Sequence, residues 1–337
     1  MKKLILFLSI YCITTQFSNS QILFTEDFNS YPAGHLNTDY TGNTSGQGGW
    51  VTKRGTGSAT VMVTPEAGRG NVATFTTNGS QTNENVTVLQ KTGVINGLWN
   101  SRTSGHNILK YEYEVYVSGT FSAAGRLHSS NTNYFMMLRL ITTSTYAIEA
   151  LHLATNNPPT TLIKNYTAAT FPYNLWHKVE VIIDYDTNTA YYHIPTLNIT
   201  KKDALNSSTN TYLPHNISIS GEFLKPGSIV KYDNIKLSAL QSVPSYILST
   251  EEQLAAKFNL YPNPATDLLN ITNTENLSVT RTEIYDLKGK VVSAQNFDNA
   301  TDIQLSISNL ASGTYMLHLD TNQGKAVKKV VKKVVKK

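Results

Sequence analysis

The chain has 337 residues, a formal net charge of +5 and only 15% charged side chains, below the usual quarter. The excess charge is terminal: without Lys2, Lys3 and the seven lysines between Lys325 and Lys337, 19 bases face 23 acids. Between residues 21 and 245 the balance is 15 bases to 14 acids, so the body carries no overall basic excess of the kind a nucleic-acid binder needs.

In chain order, Met1-Lys2-Lys3, the apolar run Leu4–Ile13 and the small polar residues up to Ser20 have the layout of a secretory signal peptide, with cleavage expected after Ser20. The run is too short to span a bilayer, and no later stretch reads as a transmembrane helix. The single cysteine, Cys12, lies inside this segment. Tyr11 before it is too large for a lipoprotein cleavage site. The mature chain therefore has no disulfide, thiolate nucleophile or thiolate metal site.

Residues 21–240 carry strand signals. Leu109–Val117 alternates apolar and polar, the period of a half-buried strand. Tyr134–Ile141, Tyr146–Leu153, Lys178–Tyr185 and Thr189–Ile194 are rich in aromatic and β-branched residues and read as further strands. Asn78-Gly79 and Asn96-Gly97 read as tight turns, and Asp186-Thr187-Asn188 as a hairpin loop. Many short strands with frequent turns predict an all-β sandwich or jelly roll. Residues 241–257 read as a linker ending in a short helical turn at Ser249–Lys257. A second, smaller β-sandwich is predicted over 258–337. In it Pro262 and Pro264 bar an interior strand, and Asp286–Gly289 forms a hairpin turn with Gly289 free to take positive φ. Valines at 327, 330, 331, 334 and 335 fit a helical stripe on anionic lipid, whereas valine's β preference favours a last strand with a basic tail.

Phe258-Asn259-Leu260-Tyr261-Pro262-Asn263-Pro264-Ala265, Leu268–Ile271, Glu283–Val292, Leu310–Tyr315 and Gly324–Val331 follow one another in an order that resembles the C-terminal sorting domain of the type IX secretion (Por) system of Bacteroidetes, an immunoglobulin-like sandwich. The resemblance implies export through that machinery by way of residues 258–337, and a site of action outside the cell or on its outer surface. Trp176–Tyr192, with Phe24–Gly34 and Tyr232–Leu237 on either side, resembles the tryptophan strand, opening and closing strand of concanavalin A-like and laminin G-like jelly rolls. That resemblance places Trp176 in the core and pairs the first strand with the last.

Such pairing brings Glu26 or Asp27 near Asp233 and Asn234, oxygen ligands suited to a structural calcium ion; no other cofactor is implied. The paired glutamates of jelly-roll glucanases are not found: Glu180 and Asp184 have the wrong spacing, Glu112 and Glu114 lack an intervening aspartate, and Glu149 stands alone. Arg139, His152 and Tyr191 could compose a lyase site, with arginine neutralising a uronate carboxylate and His or Tyr moving the proton. Carbohydrate binding asks for less: an aromatic ring on which sugar C–H faces stack, and amides or hydroxyls to orient them. Trp99, in a turn-rich segment, is the expected exposed platform, with Trp50, Arg139 and Tyr191 as further ligand-binding candidates. Two functions stay open, a non-catalytic surface module for glycan or matrix and a polysaccharide lyase or glycoside hydrolase.

Overall fold

The structure is a computed structural model. It describes residues 20–333 apart from 56, 80–83, 91–92, 120–121, 130–133, 143–145, 155–159, 167–171, 206–211 and 274. The expected signal segment with Cys12, and the last four residues of the lysine–valine tail, lie outside the described residues. The chain divides into two compact units, Met1–Val243 and Pro244–Lys337.

In the first unit the strands are β1 (Ser20–Glu26), β2 (Gly34–His35), β3 (Thr41–Ser45), β4 (Val51–Arg54), β5 (Thr60–Glu66), β6 (Gly70–Thr76), β7 (Glu84–Leu89), β8 (Ile108–Ser118), β9 (Ser122–His128), β10 (Tyr134–Thr142), β11 (Tyr146–Ala154), β12 (Thr160–Tyr166), β13 (Trp176–Asp184), β14 (Thr189–Ile194), β15 (Ile199–Ala204), β16 (Asn216–Leu224) and β17 (Ile229–Leu240). They form two antiparallel sheets, as an all-β jelly roll requires. The first runs β15-β14-β13-β8-β17-β6-β5-β2, with β1 also paired to β17; the second runs β12-β11-β10-β9-β16-β7-β4-β3.

The alternation read in β8 is realised side by side: Leu109, Tyr111, Tyr113, Val115 and Val117 enter the core, while Lys110, Glu112, Glu114 and Tyr116 take the opposite face. In the second sheet Leu127, Leu138, Ile217 and Ile219 point inward. Three core tyrosines of the first sheet reach backbone carbonyls of the second. Tyr232 donates to Ser220 O at 2.7 Å, Tyr113 to Leu138 O at 3.2 Å and Tyr111 to Ser218 O at 3.4 Å. Their rings pack against one another at a tilt, with centroids 5.3 Å apart for Tyr111–Tyr113 and 5.8 Å for Tyr113–Tyr232. Gly125 makes room for this: a Cβ there would sit 2.3 Å from the Tyr113 ring, and its N–H donates to the Tyr113 hydroxyl.

One helix, α1 (Val94–Asn100), contains Asn96-Gly97, expected as a tight turn. Ile95 and Trp99 stand four residues apart, hence on one helical face, and both are fully buried. That contact turns the segment into helix.

In the second unit, helix α2 (Thr250–Ala256) begins at a capping box in which Ser249 Oγ accepts from Glu252 N and Glu252 accepts from Ser249 N. Leu254 and Ala255 on it join the core of this unit, so the segment read as linker packs as part of a fold. Strands β18 (Phe258–Tyr261), β19 (Leu268–Asn273) and β22 (Ile303–Ser306) form one sheet. The other holds β20 (Val279–Tyr285), β21 (Val291–Ala300), β23 (Gly313–Thr321) and β24 (Gly324–Lys332). Asp286–Gly289 is the β20–β21 turn: Asp286 Oδ1 accepts from Lys288 N and Lys290 N, and Gly289 has φ +81°. The valine-rich end is strand β24, paired with β23 along its length, with Val330 fully buried. No helix among the described residues is long and apolar enough to cross a membrane.

Because Gly125 faces the Tyr113 ring, Gly125→Ala is expected to cost about 2 kcal/mol through overpacking, read as a lower denaturant midpoint for the first unit. An unchanged midpoint would mean that the tyrosine brace tolerates displacement.

Candidate functional site

A polar cavity of the first unit lies on the outer face of its first sheet. β1 and β6 share one edge of β17. β1 covers Ile235–Leu240 and β6 covers Ile229–Tyr232, which leaves Asp233 and Asn234 between them. The register of β17 against β8 slips there, and Asn234 takes φ 50°, a left-handed conformation asparagine tolerates. The notch opens into a cavity of about 640 Å³ whose lining includes Tyr31, Glu112, Glu114, Lys178, Asn234 and Lys236.

Strand register builds the charges of this face. Glu112 stands opposite Glu180 on β13 and Lys236 on β17, and Glu114 opposite Lys178 and Asp233. Lys110 Nζ bridges Glu112 at 2.5 Å and Glu180 at 2.6 Å; Lys236 Nζ lies 2.7 Å from Glu112, and Lys178 Nζ 2.9 Å from Glu180. Burial by itself would raise the Glu112 carboxyl, but hydrogen bonds from Lys110 and Lys236 and the charge of Lys178 bring it down to about 2. Glu114 is likewise lowered against its burial, by Arg69 and Asn234. Asp233 is raised, first by burial, although Arg69 Nη1 lies 3.0 Å from it and pulls the other way. Its side chain is 2% exposed beneath that guanidinium.

Two residues further along β13 and β8, Trp176 stands opposite Tyr116. Their ring centroids are 5.8 Å apart, the Arg69 guanidinium lies 4.0 Å from the Trp176 centroid, and Lys231 Nζ lies 5.0 Å from that of Tyr116. Both rings are half-buried. The tryptophans thus reverse their expected places. Trp99 is fully buried, beside Tyr185 at 5.5 Å with the Arg102 guanidinium 4.2 Å from its ring. Trp50 is fully buried between Phe24 and Phe28 and donates its Nε1–H to Glu26 Oε2 at 3.1 Å. Neither can be a sugar platform. Trp176, expected in the core, is the tryptophan that solvent reaches. The strand period could have found it: Val179, Val181 and Ile183 point inward, so Trp176 and Lys178 point out.

Arg139, His152 and Tyr191 do not form one site. Arg139 is on β10 with its ion-pair partner Glu149 on β11, on the outer face of the second sheet, since its neighbours Leu138 and Leu140 are core. Tyr191 is on β14 of the first sheet, facing outward because Ala190 and Tyr192 are core; it is 5% exposed, with Lys202 Nζ 5.6 Å from its ring. The sandwich stands between them. His152 is placed on β11 opposite Met136, and its side chain lies outside the described residues.

Glu26, Asp27 and Asp233 are spent on the chain's own donors. Glu26 accepts from Phe28 N at 2.7 Å, from Trp50 Nε1–H and from the Tyr31 hydroxyl, whose pKa is raised by burial and then by Glu26. Asp27 accepts from Asn29 N, and Asp233 holds Arg69. A calcium ion would have to displace a guanidinium and an indole N–H, so the residues do not fit one. Among the described residues no three acid or imidazole side chains form a metal-holding group.

Residues 259–333 match the family of secretion system C-terminal sorting domains. A comparison with curated proteins returned no match. Among solved structures, lectin II from Ulex europaeus is similar at 9% identity over 64% of this chain and 99% of the lectin, with a TM-score of 0.39. The alginate lyase A1-II', of polysaccharide lyase family 7, is similar at 9% identity over 53% of this chain and 84% of the lyase, with a TM-score of 0.37. The CBM2 module of the evolved Dit of Lactobacillus casei BL23 phage J-1 is similar at 9% identity over 67% and 98%, with a TM-score of 0.38.

Since the folded pKa of Glu112 lies below its ordinary 4.5, its contribution to stability is present above about pH 4.5 and is lost as pH falls toward about 2. Glu112→Gln is expected to lower stability by about 2 kcal/mol at pH 7, a gap that narrows on acidification. Thermal melts of both proteins across pH 2–7 (about six points) would reject this if the gap stayed constant.

Proposed function

We propose, from the sorting domain at residues 259–333, that this exported chain carries its first unit to the cell surface or the extracellular space as a non-catalytic carbohydrate-binding module. The observation that carries the reading is the juxtaposition on one sheet face of the Trp176–Tyr116 pair and the notch cavity of about 640 Å³. The rings, paired across β13 and β8, offer an apolar strip for sugar C–H faces. Asn234, Ser30, Tyr31, Glu114 and Lys178 line or rim the adjoining cavity and present amide, hydroxyl and charged groups for sugar hydroxyls. The volume suits a short run of sugar rings, being within the usual range of roughly 300–1,000 Å³ for ligand pockets.

The ion network favours binding over hydrolysis. A glycosidase needs one carboxyl protonated near neutral pH to donate to the leaving oxygen. Glu112 and Glu114 are both pushed toward the ionised form by the cations around them. Asp233, the acid pushed upward, is sealed under Arg69. The network also fixes the long lysines in place before any ligand arrives, so less side-chain entropy is lost on binding.

Trp176→Ala is expected to weaken binding on a glycan array by at least about tenfold, the loss of one stacking contact of about 1.5 kcal/mol. Because the ring is half-buried on the outer face, the circular dichroism spectrum should stay that of the parent. Undiminished glycan binding by a folded Trp176→Ala protein would remove this platform. Failure of the parent to bind any glycan would remove the function.

A further inference from the structure

We propose a second, separate binding site on the outer face of the second sheet, built for an acidic polysaccharide. Two cavities of about 440 and 270 Å³ adjoin there and share Lys53 and Leu89 in their linings. The larger is lined by Lys53, Arg54, Arg126, His128, Ser218 and Glu222 among others, three cations against one carboxylate. The smaller adds Thr41, Asn43, Gln90 and Asn216.

The floor is pre-built by strand alternation. Because Leu127, Ile217 and Ile219 point into the core, Arg126, His128, Asn216, Ser218 and Ser220 point out. Arg126, 7% exposed, donates to Ser220 Oγ at 2.6 Å and pairs with Glu222, which Arg139 Nη1 also approaches at 3.5 Å. His128, 5% exposed, lies 2.8 Å from Ser218 Oγ; burial, then the charge of Arg126, brings its pKa down to about 4. Asn216 is 2% exposed, and its Oδ1 has no hydrogen-bond partner among the described residues. A buried amide oxygen without a donor is costly, and a ligand hydroxyl would satisfy it.

The wall is cationic. Arg54 is held by Ala59 O at 3.0 Å and stacks 4.3 Å from the Tyr40 centroid, positioned without a carboxylate partner among the described residues. Lys53 is exposed and makes no ion pair among the described residues. The ligand chemistry follows from the lining. Two cations at the wall without acid partners call for an anionic group. Amides and hydroxyls along the floor call for a polyhydroxylated chain. The one aromatic ring among the described lining residues, the His128 imidazole, is 5% exposed and tied to Ser218 Oγ, which leaves no open face to stack a nucleobase, and Leu89 with Val51 is too little apolar surface to anchor a peptide side chain. Carboxylated and sulfated sugars share the required chemistry.

The test uses the full chain and isothermal titration with a polyuronate, a sulfated polysaccharide and neutral dextran. The expected result is binding to the polyuronate, the sulfated polymer or both, and not to dextran. Lys53→Glu should weaken that binding at least about tenfold, and Asn216→Ala should weaken it with the melting temperature unchanged. Which polymer responds identifies the anion. The lysine-rich C-terminus is the same in parent and variants, so the difference between them reads the trough alone. Trp176→Ala should leave the anionic binding intact, which separates this site from the first. The proposal is overturned if neither polymer binds, if Lys53→Glu binds as the parent does, or if duplex DNA competes as well as the polysaccharides do.

Discussion

Three buried phenols hold the two sheets of the first unit in register. Tyr111, Tyr113 and Tyr232 rise from the first sheet and donate to carbonyls of Ser218, Leu138 and Ser220 in the second. Burial raises all three pKa values, so each stays a neutral donor. An apolar core alone would fill the space between sheets of this size. Directional bonds to named carbonyls also fix how far one sheet slides over the other. Gly125 is the concession the second sheet makes to them.

From that brace the two outer faces follow by alternation. On β8 the residues next to Tyr111 and Tyr113 are Glu112 and Glu114, which meet their lysines and Arg69 across the first sheet. On β16 the residues whose carbonyls accept the phenols, Ser218 and Ser220, turn their hydroxyls outward to His128 and Arg126. The same tie therefore positions the polar groups of both faces. The faces differ in electrostatics: on the first nearly every charge is matched at 2.5–3.0 Å, and on the second Lys53 and Arg54 have no acid partner among the described residues. The near-even balance of 15 bases and 14 acids over residues 21–245 conceals that asymmetry. The exported chain has no cysteine after Cys12, so this packing and these ties stand in for disulfides.

Local pattern was legible where one rule acted alone. The bounds of β14 follow from its aromatic and β-branched residues, the outward turn of Tyr116 from a period of two, and the Asp286–Gly289 turn from the chemistry of Asp and Gly. Pattern failed where rules competed. Asn96-Gly97 has the composition of a turn, but Ile95 and Trp99 share a helical face and burying both decides the matter. An indole in a polar, glycine-bearing segment looks exposed, yet Trp50 is drawn inward by two phenylalanines and the Glu26 carboxylate. The jelly-roll resemblance places Trp176 in the core, whereas its own strand period, with Val179, Val181 and Ile183 inward, turns it out.

The amino-acid order alone determined the all-β class, the spacing of inward and outward side chains and the sorting domain at the C-terminal end, because periodicity, turn chemistry and short linear motifs are local properties. Only the tertiary structure decided which charges neutralise each other and which stay open. Arg69 meets Glu114 and Asp233 across 45 and 164 residues of chain, and Arg139 and Tyr191 are held apart by a whole sandwich. Those outcomes depend on which strands become neighbours in space, and pairings such as β8 with β17 or β9 with β16 bring together segments about a hundred residues apart that no local rule connects.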